Sequence, residues 1–357
     1  MKRSIFIVML SFIVLSSACK TSAKVTPSPI PPVAPSAVTQ TLAVPTLFPT
    51  TIPTPLSLLW TSSAYTEPSP LPTFTRDKIG SVERNVTYCI AGNVELKMDI
   101  YYPRLPAAQK YPLIIYIHGG QFIKGDKQQV SGQEPSLDGK FFVTHGYALA
   151  SLNYRLGPEY RLPTMYEDVK CAVRHLRANA ASYNIDPERI GAIGTSSGAT
   201  LAVIIGLTDP AAGFEGIGAY EGISSRVQAV VAQFPQVTFD TPPYSNAEQA
   251  SRDQSLPSDP SPELLSLLNL YTYVSADDPP FMIFHGDADP ALDPKLSEKL
   301  NAELVTVGVT SSFTLVHNGG HGWQPKDARK AGVPYGPIPN ATEILDQQLE
   351  FFDKYLK

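Results

Sequence analysis

Gly194-Thr195-Ser196-Ser197-Gly198 lies between an apolar run, Ile190 to Ile193, and a small-residue helical run, Ala199 to Leu207. The order reads strand, sharp turn, helix, and no other stretch constrains the fold as much. A G-x-S-x-G turn in that setting lifts the serine hydroxyl clear of the sheet edge. The turn brings backbone atoms close together, so side chains at Gly194 and Gly198 would collide there. The same pattern also suits an inert Gly/Ser connection. The rest of the chain decides between the two.

Around this turn, strands and helices alternate. Val82 to Tyr88 and Val94 to Tyr101 read as two strands joined at Ala91-Gly92-Asn93. In the second, Val94, Leu96, Met98 and Ile100 alternate with Glu95, Lys97, Asp99 and Tyr101, the period of a half-buried antiparallel strand. Leu113 to Ile117 is continuously apolar and suits a strand buried on both faces. Helices are expected at 137–145, 166–183, 199–207, 296–307 and 343–356, and strands at 148–153, 190–193, 227–234, 281–284 and 313–316. This is an α/β chain with a mostly parallel, doubly wound sheet and an N-terminal β-hairpin. Two long connections rich in Gly, Pro, Asp and Ser, 210–225 and 235–280, interrupt the repeat, the second with a short helix at 262–270. Both are expected as walls of a site at the strand ends carrying Ser196.

A serine hydroxyl needs a base to take its proton and an acid to orient that base. On such a sheet the chain order is Ser, then Asp or Glu, then His. His285-Gly286-Asp287-Ala288-Asp289-Pro290 follows one strand, and His317-Asn318-Gly319-Gly320-His321-Gly322-Trp323 follows the last. His321, flanked by glycines that let a loop reach the turn, is the expected base, with His317 as its competitor. Asp289, deeper in its loop than Asp287, is the expected acid. His145 and His175 fall on helices and carry no expected role. Donors for a developing oxyanion are expected from the backbone of Ser197 and of Gly119, Gly120 and Gln121, in the stretch His118-Gly119-Gly120-Gln121-Phe122. His118 reads as a brace for that loop. No metal-ligand spacing is visible, and neither metal nor organic cofactor is expected.

The amino-terminal quarter has a different character. Lys2 and Arg3, the apolar run Ile5 to Leu15 and the small residues Ser16-Ser17-Ala18 read as an export signal over 1–19, too short for a comfortable membrane span. Cys19 after small residues resembles the lipobox of bacterial lipoproteins, although Leu15 lies four residues before it rather than three. The expectation is an extracytoplasmic bacterial protein, either a cell-surface lipoprotein lipidated at Cys19 or a secreted one, touching membrane only through that anchor. Residues 20–75 hold much of the chain's 34 prolines and read as a disordered spacer, leaving 76–357 as the catalytic domain. A net charge of −5 without a Lys/Arg run after residue 3 argues against nucleic acid as a partner. Cys89 and Cys171 read as small buried hydrophobes, with a bridge between them as the alternative outside the cytoplasm.

From Val82 onward the chain resembles the α/β-hydrolase superfamily, nearest bacterial feruloyl-esterase-like and hormone-sensitive-lipase-like carboxylesterases. The resemblance rests on His118 to Phe122 with Gly125-Asp126-Lys127, Asn153-Tyr154-Arg155-Leu156, Leu162-Pro163 with Glu167-Asp168-Val169, and Asn184 to Ile190. It continues through the Ser196 turn, His285 to Asp289, and Gly320 to Trp323. It implies the α/β-hydrolase fold with loop and helix insertions over the active site, and a Ser196–Asp289–His321 triad. It also implies hydrolysis of small-molecule or carbohydrate-linked esters through an acyl-enzyme. Gln121 stands where many relatives carry a third glycine. Ser197, Ala199 and Thr200 replace the common Ala, Gly and His. A prolyl-oligopeptidase-type peptidase and a catalytically idle surface-binding module are the alternatives.

Overall fold

A computed structural model of the protein describes residues 61–68, 80–104, 110–131, 139–323 and 337–357. The expected export signal over 1–19, Cys19 and most of the Pro-rich stretch lie outside these residues. The alternating residues expected over 94–101 form β3 (Val94–Tyr101), paired antiparallel with β2 (Val82–Ala91) through a turn at Gly92. The continuous apolar run is β4 (Tyr111–Ile117), with every residue buried. Its parallel neighbours are β5 (Ala148–Leu152) and β6 (Ile185–Thr195). Beyond β6 follow β8 (Ala229–Gln233), β9 (Phe281–Gly286) and β10 (Ser311–Val316), all parallel. With β1 (Ala64–Thr66) and β7 (Ile217–Gly218), the sheet runs β10-β9-β8-β6-β4-β5-β3-β2-β1-β7.

Alternation along β4 explains the two cores. Leu113, Ile115 and Ile117 face one, with α2 (Thr164–Ala178), α3 (Ser197–Leu207) and α6 (Lys295–Thr306). Ile114 and Tyr116 face the other, with α1 (Gly139–Thr144) and α7 (Ala341–Leu356). A strand whose side chains alternate between two apolar layers has no polar face to place, which is why its sequence reads as one unbroken run.

Three expectations need correction. The stretch 20–75, expected to be a disordered spacer, is not spacer throughout. Within it, β1 adds to the edge of β2, and Tyr65 is buried. The physical reason lies in α2, where Glu167 and Asp168 are both fully buried and need donors. Ser62 Oγ donates to Glu167 at 2.6 Å and the Ser63 amide at 3.0 Å, while Tyr65 Oη donates to Asp168 at 2.7 Å. Arg155 closes the cluster through its amide, Nε and Nη2 on Asp168, the last at 2.6 Å. Second, the 210–225 connection does not line the Ser196 site. It supplies β7, paired with β1 at the sheet edge, and Glu215, whose carboxylate is shared between buried Lys170 and Arg174 of α2. Third, Cys89 of β2 and Cys171 of α2 form a disulfide, with Cα atoms 6.5 Å apart. Their two elements pack face to face, a proximity that local pattern does not carry.

The 235–280 connection contains α4 (Asn246–Ser255) as well as α5 (Pro262–Leu267). The sequence of α4 is nearly all polar, so periodicity misses it. Its signal is the capping box: Ser245 Oγ accepts from the Glu248 amide, and the Glu248 carboxylate accepts from the Ser245 amide.

Candidate active site

Ser196 closes β6 and opens α3 with φ 51° and ψ −123°, a strained conformation for a residue with a side chain. Its amide donates to the Gln233 carbonyl of β8 at 3.0 Å, and its carbonyl accepts from the Thr200 amide at 3.0 Å. The flanking glycines are required by contact. A Cβ on Gly194 would run into the Gly198 carbonyl, and one on Gly198 into the carbonyls of Ile117 and His118. The turn is therefore wedged between β4, β8 and its own helix.

His321 Nε2 lies 3.1 Å from Ser196 Oγ, and His321 Nδ1 lies 2.8 Å from Asp289 Oδ2. A carboxylate accepts, so Nδ1 carries the proton and Nε2 is left facing the serine hydroxyl. The competing residues pair with each other instead. His317 Nδ1 meets Asp287 Oδ2 at 3.1 Å on the exposed side of the same loops. Burial alone would raise the Asp289 pKa. Hydrogen bonds from His285 and His321, the His321 charge and the Ala291 amide outweigh it and hold the carboxyl well below the usual range.

Several supports escaped the sequence reading. His285, fully buried, turns Nε2 toward the Leu292 carbonyl (3.1 Å) and Asp289 Oδ2 (3.3 Å), so Nε2 bears its proton and Nδ1 accepts from Ser297 Oγ at 2.7 Å. Trp323 Nε1 donates to Gln233 Oε1 at 2.8 Å, tying the His321 loop to β8, and the Phe234 ring lies 4.6 Å from that of His321. Gln233 and Phe234 lie far from His321 in sequence, whereas His285 and Trp323 had a local hint in their place inside the HGDAD and GHGW stretches.

The 119–121 loop turns through positive φ at Gly120 (128°) and Gln121 (60°). A Cβ on Gly120 would strike the Lys124 carbonyl. The amides of Gly119, Gly120, Gln121 and Ser197 make no backbone hydrogen bond among the described residues. His118 Nδ1 donates to the Gly119 carbonyl at 2.8 Å. In a trans peptide the N–H points opposite to the C=O, so this bond sets the direction of the Gly120 amide. Tyr154 stacks on the His118 ring at 4.4 Å and donates to its carbonyl at 2.9 Å.

Burial pushes the pKa of His118 down to about 4 and that of His175, between Tyr183 and Tyr220, down to about 3. A free histidine titrates near ~6.5. Between these values the unfolded chain binds more protons than the native one, so stability is complete above the unfolded value and falls with falling pH. The depressed Asp289 pKa acts in the same direction at lower pH, its contribution disappearing as pH falls from the ordinary carboxylate range through its native value. The urea midpoint is expected to drop between pH 7 and 4, with the two imidazoles outweighing Asp278, whose pKa burial raises to about 6 and which acts in the opposite direction. A midpoint flat over that range would contradict the burial of these two imidazoles in solution.

Two hollows meet at Ser196. One, about 260 Å³, runs along Gly119, Gly120 and Gln121 past Lys124, Gln129 and Tyr116. The other, about 20 Å³, lies between Ser197, Gln236, α4 and the Ala291-Leu292 stretch. No group of three or more His, Cys, Asp or Glu among the described residues is placed to hold a metal ion.

Known proteins are similar to this chain in sequence and in fold. Residues 98–304 match the BD-FAE family model. Over 269 residues the chain is 28% identical to Esterase LipQ of Mycobacterium tuberculosis, covering 71% of this chain and 55% of LipQ. Esterase LipC of the same organism is 25% identical over 262 residues, covering 71% of this chain and 62% of LipC. The chain thus spans a little over half the length of these relatives. Among solved structures, a truncated carbohydrate esterase from gut microbiota superposes with a TM-score of 0.63 at 27% identity, over 79% of this chain and 99% of that one. The sheet and its helices are those of an α/β-hydrolase fold.

Proposed function

The chain belongs to the BD-FAE family, and from that premise we propose that it is a serine carboxylic ester hydrolase acting outside the cytoplasm on small acyl or carbohydrate-linked esters. The single observation that carries the mechanism is the continuous line Ser196 Oγ, His321 Nε2, His321 Nδ1, Asp289 Oδ2, with steps of 3.1 and 2.8 Å at its two hydrogen bonds. Ser196 Oγ attacks the ester carbonyl carbon while its proton passes to His321 Nε2. The carbonyl oxygen becomes an oxyanion facing the amides of Gly120, Gln121 and Ser197. As the tetrahedral centre collapses, its bond to the alcohol oxygen breaks and His321 returns the proton to that oxygen. Water then gives a proton to His321 Nε2 and attacks the acyl-Ser196 carbon. Collapse of this second tetrahedral centre breaks its bond to Ser196 Oγ, which recovers the proton, and the acid departs.

Two further points support the substrate and location. The larger hollow offers Lys124, Gln121 and Gln129 to a hydroxyl-rich alcohol, and the gut-microbiota structure it resembles is named a carbohydrate esterase. The Cys89–Cys171 bond fits an oxidising compartment, in keeping with the export-type residues 1–19.

A fluorophosphonate probe tests the reading on the full chain. Mass analysis should find one adduct, on the peptide carrying Ser196, and 4-nitrophenyl acetate should compete with it. Folded protein that takes no label would overturn the proposal. Activity confined to the cytosolic fraction of expressing cells would overturn the location.

A further inference from the structure

The loop from His118 to Lys127 is held at three points by the stretch that follows β5. Tyr154 Oη donates to the His118 carbonyl at 2.9 Å and lies 3.5 Å from Ser197 Oγ. The Gly157 amide donates to the Phe122 carbonyl at 2.8 Å. Asn153 Oδ1 accepts from the Lys127 amide at 2.5 Å, and its Nδ2 donates to Asp126 at 2.9 Å. The His118 carbonyl and the Gly119 amide share one trans peptide, so the Tyr154 bond fixes where that amide points. Tyr154 thus touches both sources of expected oxyanion donors, the 119–121 loop and Ser197.

Arg155, between these contacts, leads elsewhere. Its amide, in the peptide that leaves Tyr154, donates to Asp168 Oδ2 at 2.8 Å. The other oxygen of this buried carboxylate accepts from Tyr65 Oη at 2.7 Å, from a residue 103 positions away in sequence. Tyr65 Oη in turn accepts from Arg155 Nη2 at 2.6 Å, and Ser63 Oγ accepts from the same nitrogen at 3.1 Å. Without the Tyr65 hydroxyl, Asp168 is free to turn into a symmetrical fork with the guanidinium, drawing Oδ2 off the Arg155 amide.

We infer that residues 62–65, at the far side of the sheet, are a positioning element of the active site: by fixing Asp168 they fix Tyr154, and through it the amides that face the oxyanion. The inference rests on the esterase reading above and adds to it a segment separated from β6 by β4, β5, β3 and β2. Tyr65 and Ser63 touch no reacting atom and act only through Arg155 and Asp168.

The test uses the full chain, 4-nitrophenyl acetate and an aryl trifluoromethyl ketone, which adds Ser196 Oγ reversibly and sets its oxygen on the same amides. Tyr65→Phe keeps the buried ring and the Arg155–Asp168 pair, so the chain should fold. A displacement of about 1 Å near the chemistry can cost ~100-fold, so a smaller shift should lower kcat by about 10-fold. KM should stay within about 2-fold, because acylation and deacylation use the same amides, and the ketone should bind about 10-fold more weakly. Tyr154→Phe, which keeps the stack on His118, should lose at least as much. Ser63→Ala removes only the longer bond to Arg155 and should lose about 3-fold in kcat, which serves as the reading if Tyr65→Phe does not fold. Replacing Cys89 and Cys171 by alanine destabilises the chain with these bonds in place and should leave kcat unchanged. Folded Tyr65→Phe with the parent kcat, or a rate loss without weaker ketone binding, would overturn the inference. So would an equal rate loss in the cysteine variant, which would make the effect one of stability. A parent chain that hydrolyses no ester and takes no fluorophosphonate would fail at the esterase reading beneath.

Discussion

Ser196→Ala is expected to lower 4-nitrophenyl acetate hydrolysis by about 10⁵-fold, equivalent to roughly 7 kcal/mol of transition-state stabilisation. The loss is large because Ser196, His321 and Asp289 act as one unit, so removing the nucleophile leaves the base with nothing to activate. The oxyanion amides and the bound geometry persist and account for the residual rate over water. Stability should not fall with activity. Ser196 Oγ has His321 as its partner at a half-exposed position, and the strained backbone conformation is set by the Gln233 and Thr200 bonds, which alanine keeps. Ser196→Gly should even raise the unfolding midpoint slightly, since glycine accepts φ 51° without strain. Hydrolysis by the alanine variant above a hundredth of the parent rate would remove Ser196 from the mechanism.

The second large effect is on stability. Replacing Cys89 and Cys171 together by alanine should cost about 4 kcal/mol, because the bond closes a loop with a sequence separation of 82 and so removes much chain entropy from the unfolded state. Alanine is the better replacement than serine here, as both positions are fully buried and a hydroxyl would need a partner. Ester hydrolysis by the folded variant should be unchanged, since β2 and the Cys171 side of α2 contribute nothing to either hollow. Equal urea midpoints for the two proteins would show that the bond does not form in solution.

What was legible in the chain follows the reach of local pattern. β4 announces itself by an unbroken apolar run, β3 by alternation, and the Ser196 turn by glycines that only a close backbone approach explains. The choice of His321 over His317 and of Asp289 over Asp287 came from loop depth, and the geometry pairs each within its own set. β1, β7 and α4 were not legible. β1 has three residues and β7 two, and both are held by partners far along the chain, while α4 lacks an apolar face and declares itself only by its cap. The disulfide and the Trp323–Gln233 bond likewise join residues whose proximity the fold creates. Composition misled once, at the end of the Pro-rich stretch, where Ser62, Ser63 and Tyr65 look like spacer yet serve buried carboxylates.

That last cluster decides where the protein can be shortened. A recombinant version begun at residue 76, the border that composition suggests, would discard the hydroxyls of Ser62, Ser63 and Tyr65 along with β1. Glu167 would lose its donors at 2.6 and 3.0 Å, Asp168 would keep only Arg155, and β7 would lose the strand it pairs with. Two buried carboxylates of α2 would then be short of donors, and the edge of β2 would be open to pairing with other chains. The sensible cut for expression lies before residue 61, in front of the strap rather than behind it.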